Sequence, residues 1–253
     1  MSPARTPVVG GNWKMHTTRI EAQALLRDLR SRLDGLAGVE VIVCPPTSWL
    51  GDACDALAGS SLQIAAQHVY WKPEGAFTGE VSAPMLVGTV SHVLIGHSER
   101  RHVFGETVED TNRQLRAVLD AGLRPILAIG ELREEAERGD TEAVLRRQIT
   151  GALEGLDALP EQLIVAYEPV WAIGTGIAAT ADDAQKRCAM VRVLLAERFD
   201  RASAEACRIQ YGGSVNAENA AGFAAAEDID GVLVGGASLD AAAFEAICRA
   251  FVA

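Results

Sequence analysis

The sequence predicts a single-domain α/β chain folded as a (β/α)8 barrel, on three observations. Short apolar, β-rich runs alternate with longer amphipathic runs from one end of the chain to the other. The short runs are apolar on both faces, as in a parallel sheet covered by helices. Eight strand–helix units, about thirty residues apart, account for all 253 residues with no linker, low-complexity segment or shift of composition. Closure of eight such units into a barrel is favoured over an open doubly wound sheet. An open sheet usually announces a dinucleotide by a Gly-rich first turn, and the first turn here, Gly10-Gly11-Asn12-Trp13-Lys14, has no such fingerprint.

Taken in order, the expected strands cover residues 8–11, 39–44, 62–66, 92–95, 125–129, 163–166, 208–211 and 231–234. The clearest helical patterns between them are 19–33, 108–121, 141–156, 181–199 and 239–251. Composition narrows the function. With 23 basic and 34 acidic side chains the net charge is −11, which argues against nucleic acid or an anionic membrane as partner. An anionic substrate therefore has to be attracted by local donors. Five cysteines, an odd number without a C-x-x-C pair, suit free thiols in a reducing cytosol better than a disulfide or metal framework. Residues 1–7 have no apolar signal core and no run of about eighteen apolar residues occurs, so a cytoplasmic protein is expected.

In such barrels the working face is the carboxyl end of the strands. Asn12 and Lys14 follow the first strand, on one side of an expected extended segment, and together suit an oxyanion and a phosphate. Cys44-Pro45-Pro46-Thr47 reads as turn chemistry only. The third strand leads into a long excursion over residues 67–79 with Tyr70, Trp71, Gly75, Phe77 and Thr78, the kind of loop that is functional or an interface. His97 ends the fourth strand, with Ser98 expected to cap a following helical turn. A helix N-terminus aimed at the imidazole disfavours its cation and leaves His97 a neutral donor, against the plainer reading of a structural histidine. The fifth strand ends at Glu131. Gly212-Gly213-Ser214 and Gly235-Gly236 follow the last two strands, where backbone N–H groups can approach an anion closely. Between these lies the stretch around which the rest is organised. A buried strand ends on the carboxylate Glu168, Pro169 stops it, Trp171 anchors the next segment, and Gly174-Thr175-Gly176 forms a small tip. An acid beneath a movable loop suits an enzyme that excludes water while a base works.

Six segments, in order along nearly the whole chain, resemble the triosephosphate isomerase family: Gly11-Asn12-Trp13-Lys14-Met15, Gly75-Ala76-Phe77-Thr78-Gly79-Glu80, Gly96-His97-Ser98-Glu99-Arg100-Arg101, the run from Tyr167 to Gly176, Tyr211-Gly212-Gly213-Ser214, and Val234-Gly235-Gly236-Ala237-Ser238-Leu239. The resemblance implies a homodimeric isomerase of glycolysis and gluconeogenesis on the TIM-barrel fold. It interconverts dihydroxyacetone phosphate and glyceraldehyde 3-phosphate and needs no metal or cofactor. By the same resemblance Glu168 is the base, His97 and Asn12 polarise the carbonyl, Lys14 supplies the main cationic charge, and Glu99 helps hold Lys14. Gly174, Ser214, Gly235 and Gly236 offer backbone N–H groups to the phosphate, Ile173 and Leu233 form an apolar clamp over Glu168, and Phe77 and Thr78 belong to a loop that enters the partner. The chain departs from the family's usual residues at Ala128, at His68, at the Ile177-Ala178-Ala179 hinge and in the heavier Tyr70-Trp71-Lys72-Pro73 segment. An isomerase of a four-carbon ketose phosphate is the neighbouring reading, and a non-catalytic phosphate-binding barrel the reading from another class. The presence of Glu168, His97 and Lys14 weighs against the latter.

Overall fold

A computed structural model describes residues 5–172 and 179–252. Eight parallel strands close on themselves in chain order. They are β1 (Val8–Asn12), β2 (Glu40–Cys44), β3 (Gln63–Ala66), β4 (His92–Ile95), β5 (Arg124–Ile129), β6 (Ile164–Tyr167), β7 (Arg208–Tyr211) and β8 (Gly231–Val234). Val8 of β1 stands opposite Glu40 of β2 on one side and Gly231 of β8 on the other, which seals the barrel. Around it run α1 (Arg19–Leu33), α2 (Leu50–Leu57), α3 (Ala83–Leu86), α4 (Ser98–His102), α5 (Val108–Asp120), α6 (Arg133–Glu137), α7 (Thr141–Ala152), α8 (Ala181–Arg198), α9 (Arg201–Ala206), α10 (Ala220–Ala224) and α11 (Ala241–Ala250). No described helix is long and apolar enough to cross a membrane.

The two-faced strands explain themselves in the core. Val8, Ile42, Leu94, Ile126, Ile164 and Leu233 fill the barrel, while their neighbours Val9, Val43, Val93, Leu127, Val165 and Val232 pack outward against the helices. Alternation at period two with both sets apolar is what a sheet buried on both faces requires. Four of the five longest described helices, all but α7, start where their sequences provide caps. Thr18 and Glu21 close a capping box on α1, as do Thr107 and Asp110 on α5. The Thr180 hydroxyl and the Asp240 carboxylate accept N–H bonds at the starts of α8 and α11. Each such cap is worth roughly 1 kcal/mol.

Boundaries differ from expectation by a residue or two at most strands. The larger changes have local causes. The pattern over 141–156 stops at Ala152, since Leu153 is its C-cap and Gly155 takes φ +69°. The pattern over 239–251 begins at Ala241, because Asp240 caps it and Gly236–Leu239 is a 3-10 turn. Helices α2, α3, α6, α9 and α10 fall outside the expected patterns. With eight, four, five, six and five residues they are too short to display a helical period.

Polar groups at the amino ends of the strands close the barrel floor. Glu40 pairs with Arg208 and with Arg124, at 3.5 Å, and lies 3.6 Å from the fully buried His92. Burial pushes that imidazole down to about 4, outweighing the opposite pull of Glu40.

Candidate active site

A cavity of about 430 Å³ opens at the carboxyl ends of the strands. Asn12, Lys14, His97, Glu168, Gly212, Ser214, Leu233, Gly235 and Gly236 border it.

The first loop is under strain. Lys14 has φ +53° and Thr17 φ +76°, the only left-handed residues other than glycine among those described. Such a conformation costs a residue with a Cβ about 1 kcal/mol or more, so something must hold it. Asn12 Oδ1 accepts the Lys14 backbone N–H at 3.0 Å, and Gln67 Nε2 donates to the Lys14 carbonyl at 3.0 Å. Trp49 Nε1 donates to the Thr17 carbonyl at 3.3 Å. The expected extended segment is therefore a left-handed turn. It still brings Asn12 and Lys14 to one cavity, with the Asn12 oxygen committed to the turn and its amide hydrogens left to offer. Lys14 Nζ lies 2.6 Å from Glu99 Oε1.

His97 leaves the barrel after Gly96, which takes φ +68° with the Ala128 carbonyl and a Thr111 methyl 3.0 Å from where a Cβ would stand. His97, and not Ser98, is the N-cap of α4: its Nδ1 accepts the Glu99 backbone N–H at 3.2 Å. Ser98 is the helix's first residue and is buried. With Nδ1 an acceptor, the neutral ring carries its proton on Nε2, which faces Glu168 Oε1 at 3.3 Å. The sequence predicts a neutral His97 beside a helix N-terminus; burial also disfavours the cation, but the Glu168 carboxylate favours it, and in the ligand-free pair the net direction is up. Nothing in the local sequence shows that neighbour.

Glu168 is 3 % exposed. Its backbone N–H donates to the Ile129 carbonyl at 2.7 Å, which continues the β5–β6 ladder one step past the strand and fixes where the side chain starts. A Cβ on Gly212 would meet Glu168 Cγ at 2.6 Å, so the carboxylate stem lies flat against bare backbone. Oε2 has no hydrogen-bond partner among the described residues. Burial pushes this carboxyl up, and His97, Lys14 and Arg101 together bring it net below the usual carboxylate range.

On the opposite rim the Lys14 stem passes 3.7 Å from where a Gly235 Cβ would stand, and no atom of the described residues lies within 4 Å of a Gly236 Cβ. Ser214 Oγ donates to the Ala172 carbonyl at 2.9 Å, tying the loop after β7 to the turn that carries Trp171. Leu233 belongs to the inner barrel layer and borders the cavity floor. Ile173, Gly174, Thr175 and Gly176, with Ile177 and Ala178, lie outside the described residues. Trp171 is half-buried, and its Nε1 donates to Glu131 Oε1 at 3.4 Å, beside the Tyr167 hydroxyl at 3.0 Å.

Phe77 and Thr78 do not border this cavity. They sit exposed on the long loop after β3, whose ends are tied by the Tyr70 N–H to the Val81 carbonyl at 2.8 Å. Tyr70 packs on Trp71 and Phe77 at 4.0 and 4.5 Å between ring centres. Sequence reasoning missed His16, Asn216 and Asn219, which also line the cavity. Asn216 was legible in principle: its Oδ1 accepts the Glu218 and Asn219 N–H groups, a turn that the Asn216-Ala-Glu-Asn219 run could have suggested. His16 carries no such signal. Among the described residues no group of three or more His, Cys, Asp or Glu side chains is arranged to hold a metal ion.

The family model described as triosephosphate isomerase matches residues 7–251. A triosephosphate isomerase of Symbiobacterium thermophilum is 52% identical over 250 residues, covering 97% of each chain. Those of Citrifermentans bemidjiense and Carboxydothermus hydrogenoformans are each 50% identical, over 247 and 248 residues, covering 97% of this chain and 98% of theirs. With the closed eight-stranded barrel and a match over nearly its whole length, the chain belongs to the triosephosphate isomerase family.

Proposed function

We propose that this chain, one barrel domain throughout, is an aldose–ketose isomerase that interconverts dihydroxyacetone phosphate and D-glyceraldehyde 3-phosphate. The observation that carries the reading is a buried carboxylate 3.3 Å from an imidazole Nε2, across one cavity from a lysine and an open glycine backbone. Glu168 removes a proton from the carbon beside the carbonyl. The electron pair moves into a carbon–carbon double bond and the carbonyl oxygen takes the charge. His97 Nε2–H and the Asn12 amide donate to that oxygen and to its neighbour, and Lys14 adds a positive charge close by. The hydroxyl proton on the first carbon passes to the former carbonyl oxygen beside His97 Nε2, and Glu168 returns its own proton to the former carbonyl carbon, so the ketose becomes the aldose with no net change in protons. Because the charge is held by groups already in place, the step calls for no metal or cofactor.

Gly174, Ser214, Gly235 and Gly236 are the proposed phosphate donors, through backbone N–H groups. The openness at Gly236 and the nearness of Lys14 support that end of the cavity for the phosphate. Trp171, Ile173, Thr175, Gly176 and Leu233 are assigned to the lid and its clamp, Glu99 to holding Lys14, and Ser98 to the start of α4. A cytoplasmic homodimer working in glycolysis and gluconeogenesis is proposed with them. The aromatic tip at Phe77 and the exposed Met15, Ile20, Met85 and Phe104 favour a partner surface over a solvated one.

The test is a coupled isomerisation assay on three- and four-carbon ketose phosphates side by side, with Glu168→Asp alongside. Retracting the carboxylate by one methylene costs on the order of 10²-fold in kcat, roughly 2.7 kcal/mol. Turnover confined to the four-carbon substrate overturns the substrate, no turnover on either overturns the reaction, and an aspartate variant within about twofold of wild type overturns the base.

A further inference from the structure

Two side chains that do not border the cavity, on two different helices, converge on the peptide beneath Glu168. Gln148, buried on α7, accepts the Gly130 N–H on Oε1 at 2.8 Å and returns Nε2 to the Gly130 carbonyl at 3.0 Å. Arg101, on α4, donates from Nη1 to the same carbonyl at 3.3 Å and from Nε to the Gly96 carbonyl at 2.8 Å. Gly130 leaves no slack above it: a Cβ there would stand 1.8 Å from the Glu168 carbonyl oxygen. Gly96 is the residue from which His97 departs. One guanidinium thus spans the two peptides that seat the proposed acid–base pair, and a primary amide locks one of them on both of its polar groups.

Arg101 also has an atom to spare. Its Nη2 is buried with no hydrogen-bond partner among the described residues. A side chain placed only to saturate backbone carbonyls does not need that third, costly donor. A buried guanidinium does supply a positive field, and Glu168 is among the groups it acts on.

We propose that Arg101 and Gln148 are positioning residues for the isomerisation, fixing the Gly96 and Gly130 peptides that seat His97 and Glu168. This rests on Glu168 being the base. The charged groups facing Glu168 are His97 after β4, Lys14 after β1 and Arg101. Those facing Arg101 from other elements are Glu131 after β5, Glu135 on α6 and Arg147 on α7, besides Glu168. The coupled pair protonates as a unit, so removing a nearby fixed cation makes that first protonation easier and moves the acid limb of kcat/KM to higher pH.

The test measures kcat, KM and the pH profile of kcat/KM for Arg101→Met, Arg101→Lys and Gln148→Met. Arg101→Met is expected to shift the acid limb upward and to lower kcat about tenfold with KM within about twofold. Arg101→Lys should restore the acid limb, since the charge returns, but not the full kcat, since a lysine cannot span both carbonyls. Gln148→Met should lower kcat severalfold and leave the acid limb in place. A folded Arg101→Met with wild-type kcat and acid limb overturns the proposal. If that variant does not fold, wild-type kcat in both Arg101→Lys and Gln148→Met overturns it instead. Glu168→Asp separates the two readings: a fully active aspartate variant refutes the base assignment, whereas a crippled one beside a normal Arg101→Met refutes only the positioning.

Discussion

Gly212 offers a way to move the proposed base without touching it. Its backbone lies outside the left-handed region, so alanine fits the chain trace there, and the only cost is space. The added methyl would lie 2.6 Å from Glu168 Cγ, 3.1 Å from Oε1 and 3.3 Å from Cδ. Carbon–carbon contact becomes comfortable only near 3.5 Å, so the carboxylate stem has to retreat by about 1 Å. The obstructing atom is near the root of the side chain, so a rotation at the tip does not relieve it. Glu168 cannot carry its backbone away either, because its N–H is held on the Ile129 carbonyl at 2.7 Å. A displacement of about 1 Å in a reacting group costs on the order of 10²-fold, or roughly 2.7 kcal/mol of transition-state stabilisation. Gly212→Ala is therefore expected to lower kcat by about that factor in both directions of the reaction. KM should change little, because the phosphate end of the cavity is untouched. The measurement is steady-state kinetics in each direction, with thermal unfolding as control for a general loss of structure. A variant with kcat within about threefold of wild type and unchanged stability would mean that Glu168 has room to relax without penalty, and the reasoning from close packing would fail.

Two further outcomes are expected from other parts of the molecule. His92 is buried neutral, with its titration pushed down to about 4 by burial, so the unfolded chain takes up its proton as pH falls below about 6.5 while the folded chain refuses it. Folding stability should drop over that interval by up to roughly 3 kcal/mol from this group, and His92→Gln should flatten the difference between unfolding midpoints at pH 7 and pH 4.5; an equal slope in variant and wild type refutes it. Phe77→Asp places a charge on the exposed aromatic tip, and light scattering at micromolar concentration should report monomer where the unchanged chain reports dimer; a stable dimeric variant removes the loop from the interface.

Most of the fold was legible because it depends on patterns longer than any one element. Both faces of β1, β4 and β6 are apolar, and that reads directly as a covered parallel sheet. What sequence could not supply were facts that depend on approach between distant residues. Ser98 looks like a cap by residue type, but the turn at Gly96 rotates His97 into that place. Asn12 and Lys14 look like alternate residues of an extended segment, and the side chain of Gln67, far along the chain, helps make them a strained turn instead. The paired glycines were visible as motifs. Which of them is open to a ligand and which is pressed against Glu168 depends on the closed barrel: Gly236 is open and Gly212 is pressed. Arg101, the last residue of a recognised motif, gave no sign of reaching two carbonyls on two different loops.

Buried polarity in this barrel is of two kinds, and the difference reflects what each must do. At the amino ends, Arg192 is satisfied by Asp228, by Asp230 and by two backbone carbonyls, and Arg5 adds a second cation to Asp230 at 2.5 Å. A buried charge so fully paired holds geometry and has nothing left to give a ligand. At the carboxyl ends, one oxygen of Glu168, one of Glu131 and one nitrogen of Arg101 are buried without a partner among the described residues, and Lys14 is held in a left-handed turn. Each of these features costs free energy in the ligand-free protein. A site meant only for stability would shed them by exchange for apolar residues. Of these, Glu168 and Lys14 border the cavity, where the missing partner is the changing charge of a substrate, so that part of their cost is recovered only as the reaction proceeds.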